Sequence, residues 1–130
     1  MRWPWCLVLL SSACLDPEVP AVVTGDWGGP HLGLVATTAG ATLEYDCAGG
    51  RIPVPIRPDA AGRFLLVGEH IPGHGGPIGI DEVLERRPAR FQGTVRGDTM
   101  TILVTLTDTN ESLGTFTLIR GASPRVFKCL

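Results

Sequence analysis

The side chains best suited to chemistry fall in one short stretch, Glu69-His70-Ile71-Pro72-Gly73-His74-Gly75-Gly76-Pro77, followed by Asp81 and Glu82. Two imidazoles four residues apart with a carboxylate nearby are the donor set of a Zn or Cu site. That spacing aligns both rings only on a helix, and Pro72, Gly73, Gly75 and Gly76 forbid one here. The stretch therefore reads as a solvated Gly/His loop over 69–79, carrying His70 and His74, with no metal and no cofactor. Glu44 and Asp46 alternate with apolar residues, which makes them the wet face of a strand rather than an acid–base pair. No Gly-x-Ser-x-Gly elbow, phosphate-binding Gly/Lys loop or catalytic Cys–His pairing is present. The expectation is a protein without enzymatic activity. A metal-dependent hydrolase using the 69–82 loop, through His70, His74 and Asp81 or Glu82, is the alternative.

Charge narrows the partners. The 130 residues carry 11 basic and 13 acidic side chains, a formal net charge of -2, so nucleic acid is not expected. Arg86, Arg87 and Arg90 cluster, but Glu82 and Glu85 offset them, and a solvated face accounts for them. Arg96-Gly97-Asp98 is explained by hairpin-turn chemistry, and Asn110-Glu111-Ser112 marks an exposed loop.

The first residues read MRWPWCLVLLSSAC. Arg2 precedes an apolar run, Cys6 to Leu10, and Ser11-Ser12-Ala13 are small residues before Cys14. The run is far shorter than the ~20 residues a membrane-spanning helix needs. The segment resembles a bacterial lipoprotein signal peptide. The resemblance implies a signal over 1–13, lipidation at Cys14, a tether over 14–21 and a domain over 22–130. It implies in turn a membrane-anchored protein of the bacterial cell envelope; an ordinary cleaved secretion signal is the alternative, giving a soluble secreted or periplasmic domain. With Cys6 in the signal and Cys14 lipidated, Cys47 and Cys129 remain. They fit one disulfide in an oxidising compartment, against the alternative of two unrelated buried thiols.

Elements able to position these groups come as short runs rich in Thr, Val, Ile and Leu, separated by Gly, Pro or Asp. The candidate strands are His31–Thr37, Ala41–Cys47, Arg51–Ile56, Arg63–Ile71, Ala89–Arg96, Thr99–Thr107, Leu113–Arg120 and Arg125–Cys129, with a short ninth at Ile78–Ile80. Leu43, Tyr45 and Cys47 share one face, as do Phe91 and Val95, and Met100, Ile102, Val104 and Leu106. Gly97-Asp98 and Ala39-Gly40 read as tight hairpin turns. Only Ile80–Arg87 has helical potential, and Pro88 would stop it. The fold expected is all-β, an antiparallel up-and-down barrel of about eight strands, with a two-sheet β-sandwich as second choice.

Gly25-Asp26-Trp27 precedes the first of these runs, and Arg120 ends the run holding Phe116 and Leu118 on its own face. The pair resembles the signature of the lipocalin-like (calycin) barrels, which implies that Arg120 packs over Trp27 to close the barrel. The chain end is also similar to that of a group of small bacterial envelope proteins, a likeness that carries no function across. Together these features lead to an expected function. A lipid-anchored barrel binds a small apolar ligand or an envelope protein partner, its interior gated by the loop bearing His70 and His74. A structural module with a filled core is the remaining alternative.

Overall fold

A computed structural model of the chain describes residues 18–73, 79–81, 83 and 85–129. Eight antiparallel strands follow one another around a closed barrel: β1 (Gly25–Gly29), β2 (Leu32–Thr37), β3 (Gly40–Tyr45), β4 (Ala48–Ile52), β5 (Arg63–Pro72), β6 (Arg87–Arg96), β7 (Thr99–Leu106) and β8 (Glu111–Arg120). Each pairs with its sequence neighbour, and β8 returns to β1 through Trp27↔Arg120 and Gly28↔Ile119. The described residues hold no helix.

Period-two patterning explains the closure, because each strand turns one apolar row inward. Leu32, Leu34 and Ala36 face Leu43 and Tyr45 on one side; Phe91, Val95, Met100, Ile102, Val104 and Leu118 fill the other. Trp27 and Phe91 are the largest of the fully buried side chains. One end of the barrel is shut. There Val23 and Ile56, both fully buried, close the opening, joined by a hydrogen bond from the Val23 amide to the Ile56 carbonyl at 2.9 Å. The Gly97 amide, in the β6–β7 turn at the same end, donates to the Glu18 carbonyl at 2.8 Å. Residues 18–24 thus run across the closed end before entering β1.

The count of eight agrees with the sequence reading, but its membership differs. Gly25–Gly29, read as a preface to the first strand, is itself β1. Arg125–Cys129, read as the last strand, is not part of the barrel. After β8 the chain reverses at Gly121, whose amide donates to the Asp26 carbonyl at 2.7 Å, and climbs the outside of β1 and β2 as a strap. The reason is steric. Gly28 and Gly33 oppose each other on the outer face, and a methyl on either would collide with Ala122, Ser123 or Pro124. Two glycines make a trough that a chain can lie in. The strap bridges Pro30 through Arg125, whose amide donates to Gly29 at 3.0 Å and whose carbonyl accepts from His31 at 2.7 Å.

Three further expectations are corrected. β4 begins at Ala48 and ends at Ile52, because Ile56 is needed under the closed end. Gly79 and Ile80 lie outside any strand. The described part of Ile80–Arg87 is turn or irregular chain and then the start of β6, so no helix forms there.

Candidate functional site

The open end of the barrel gathers the β1–β2 turn, the β3–β4 turn, the end of β5 and the starts of β6 and β8. A cleft of about 500 Å³ opens there, walled by Tyr45, Ala48, His70, Pro72, Leu113 and Phe116. Three rings from three strands form its aromatic wall. Tyr45 of β3 lies between Phe116 of β8, centroids 6.3 Å apart and planes at 19°, and His70 of β5, at 5.6 Å and 27°. Leu113 reaches the cleft through a bulge. Val104 pairs with Gly114 and Thr105 with Ser112, so Leu113 opposes no residue of β7 and is re-aimed toward the opening.

Within the ring cluster the polar accounting is incomplete. Tyr45 and His70 are only 7% and 8% exposed, and neither Tyr45 Oη nor His70 Nδ1 has a hydrogen-bond partner. Leaving such a group buried and unpaired costs about 1–3 kcal/mol. Burial pushes the Tyr45 phenol far up, so it stays protonated and able to donate. Burial also lowers His70 below its ordinary 6.5, aided by Arg87 and opposed by Glu111 and Glu85. The imidazole is therefore neutral at neutral pH, with one donor and one acceptor nitrogen. Glycine at 50 makes the arrangement possible: it opposes His70 in the β4–β5 register, and a methyl there would overlap the Tyr45 hydroxyl.

The rim is charged but largely self-paired. Arg87 grips Asp108 with two nitrogens at 3.1 and 3.0 Å, and Arg86 holds Glu69 at 2.8 Å. His31 Nδ1 sits 2.6 Å from Asp46, whose carboxyl is held below the usual range first by the Phe127 amide and then by His31. Glu85 and Glu111 have no ion pair among the described residues.

Placement of the other sequence-selected residues is mixed. His70 is not in a loop: residues 69–72 belong to β5, and His70 continues the inward row of Phe64 and Gly68. Cys14, His74 and Glu82 lie outside the described residues, as do the signal over 1–13 and the first part of the tether. Asp81 is exposed. Among the described residues no three His, Cys, Asp or Glu side chains gather as metal ligands. Cys47 and Cys129 form a disulfide, Cα atoms 4.7 Å apart. Cys47 does not face the core with Leu43 and Tyr45, however. It is exposed at φ 54° in the β3–β4 turn, where the chain has already left the strand. There the Cys47 amide donates to the Phe127 carbonyl at 3.0 Å, and Lys128 pairs with Glu44 at 2.7 Å. The bridge pins the strap to the rim rather than joining two barrel strands.

At the opposite end the Arg120 guanidinium lies 5.5 Å from the Trp27 ring centroid. The Thr24 carbonyl accepts from Trp27 Nε1 at 3.1 Å and from Arg120 Nη2 at 2.8 Å. The closed eight-stranded architecture is consistent with a lipocalin-like fold. No family model, curated protein or solved structure matches the chain.

Sequence reasoning gave Tyr45 a core position but no role in the site, and it missed Phe116 and Leu113 as cleft residues. The even-numbered row Phe64, Leu66, Gly68, His70 was the signal that could have placed His70 inside.

Proposed function

We propose that this chain is a non-enzymatic binding barrel, held at a membrane of the bacterial envelope by lipid on Cys14, that takes a small, mostly apolar ligand at its open end. One observation supports the reading above all: a cleft of about 500 Å³ at the mouth, lined by Tyr45, His70, Pro72, Leu113 and Phe116. Pockets of this kind pair apolar walls with a few polar groups that orient the ligand. The lower barrel is filled by Trp27, Phe91, Met100, Ile102 and Leu118, so the ligand sits at the mouth rather than along the axis. The proposal does not need the 69–82 residues as a metal site.

Titration with the neutral fluorophore N-phenyl-naphthylamine tests the cleft. Saturable binding is expected, and Leu113→Trp, which fills the opening from the bulge, should abolish it while circular dichroism stays that of the parent. Absent binding, or binding indifferent to Leu113→Trp, would remove the cleft as a ligand site. Fractionation of cells making the full chain and its Cys14→Ser variant tests the anchor separately. Acylated, membrane-bound parent and soluble variant are expected; a soluble, unacylated parent sinks the lipoprotein reading.

A further inference from the structure

We infer that the barrel rests on an anionic bilayer by its flank, through the outer face of β5 to β8, rather than standing on its closed end. The inference rests on the lipid anchor proposed above and adds which surface the headgroups meet. The place where the tether leaves narrows the choice. The Glu18 carbonyl accepts from Gly97 in the β6–β7 turn, and a methyl on Gly62, just before β5, would sit 3.6 Å from Val19 Cγ2. The chain therefore departs from the closed end on the side of β5, β6 and β7. With lipid on Cys14, only Leu15, Asp16 and Pro17 intervene before Glu18. At about 3.6 Å per residue the acylated residue stays within about 14 Å of Glu18. So short a tether keeps the protein against the bilayer, by the closed end or by the neighbouring flank. β2, four strands round the ring from β6, faces away.

Charge separates the two surfaces. The outward positions of β5–β8 form cross-strand rows, among them Val67–Arg90–Thr105–Ser112 and Leu65–Gln92–Leu103–Thr115. Glu69 is the acid in these rows, and Arg86 holds it at 2.8 Å. Glu85, Asp108 and Glu111 lie beyond them, around the start of β6 and the β7–β8 turn. Three arginines project from the face. Arg63 lies 3.5 Å from Asp59, while Arg90 and Arg96 meet neutral partners, Gln92 and the Ala61 carbonyl, and have no ion pair among the described residues. At the closed end the balance reverses, with Glu18, Asp26, Asp59 and Asp98 against Arg57 and Arg120.

Apolar exposure points the same way. Leu65 and Val67 are 62% and 67% exposed and adjacent on the outer row of β5, with Ile119 exposed on β8, whereas the closed end offers Val54 at 43%. An anionic headgroup layer attracts the flank and repels the acids of the closed end. Arginine stems can lie beside the aliphatic side chains while their guanidinium groups reach the phosphates.

The acylated full chain, inserted into nanodiscs of phosphatidylcholine and phosphatidylglycerol carrying a nitroxide headgroup lipid, tests this by NMR. Amides of Leu65, Val67, Gln92 and Thr94 should broaden several-fold more than those of Val35 and Thr42 across the barrel. They should also broaden more than those of Val54 and Gly121 at the closed end. Joining Leu65→Asp to Val67→Asp, at exposed positions that leave the core untouched, should erase the contrast. Omitting phosphatidylglycerol should reduce it several-fold. Strongest broadening at the closed end would overturn the inference, as would equal broadening all round. So would a contrast indifferent to the two aspartates or to phosphatidylglycerol. A parent that carries no lipid and stays free of the discs would instead remove the anchor, and the inference with it.

Discussion

His70 links the mouth to the stability of the barrel. Its imidazole is held below the ordinary 6.5 by burial and then by Arg87, while Glu111 and Glu85 pull the other way without prevailing. In the unfolded chain it accepts a proton near 6.5, so below that pH the unfolded state binds more protons than the folded one. Stability is therefore undiminished above about 6.5 and falls as the pH drops through that value toward the lower folded one. Urea unfolding across this range should show a decline in the parent that His70→Leu flattens. An identical decline in both proteins would mean that other groups carry the acid sensitivity. Tyr45 is the contrasting case, since its phenol stays protonated throughout and its want of a partner is a matter of neighbours. That want is invisible in the sequence. Alternation places Tyr45 inside with Leu43, but only the register puts Gly50 and His70 beside it.

The strap is where local patterning and tertiary structure part company. Arg125 to Cys129 reads as a barrel strand in sequence, yet it runs outside the barrel, following Ala122–Pro124, which lie against Gly28 and Gly33. Its disulfide partner sits in a turn. Gly25-Asp26-Trp27-Gly28-Gly29 stands ahead of the first expected strand, yet it is β1, and its outer-facing Gly28 is dictated by what passes over it. Seven of the expected runs did overlap true strands, because alternation is set by burial on one face and survives ignorance of what covers the other. The strap also makes a test. Gly28→Ala should lift Ala122–Pro124 and raise hydrogen exchange at the His31 and Cys47 amides, which donate to Arg125 and Phe127. Unchanged exchange would show that the trough does not hold the strap. Cys129→Ser opens a cross-link spanning 82 residues of sequence. It should cost about 2–4 kcal/mol in denaturant unfolding, while a loss under about 1 kcal/mol would mean the strap stays seated without it.

For the molecule as a whole the weakest joint is the one that closes it. β5 and β6 pair from Arg63↔Thr94 to His70↔Arg87, whereas β1 and β8 share only Trp27↔Arg120 and Gly28↔Ile119. Arg120 stacked over Trp27 and bonded to Thr24 reinforces that seam. Arg120→Ala should cost about 1 kcal/mol and deprotect the amides of Gly25 to Gly28 before those of β6, measured by native-state exchange. Uniform loss of protection would argue against a distinct seam. The sequence carried this closure through Trp27 and Arg120, and the up-and-down order through its short turns, but nothing in it distinguished the shut end from the open one. That asymmetry has a bearing on how a ligand arrives. The chain crosses the shut end at Glu18 to Thr24, and β5, ten residues long, spans roughly 30 Å at about 3.3 Å per residue. Glu18 thus lies behind the barrel, about two to three nanometres from the doorway. Whatever arrives at the doorway cannot leave by the far pole through the barrel itself, because Trp27, Phe91, Met100, Ile102 and Leu118 fill the interior.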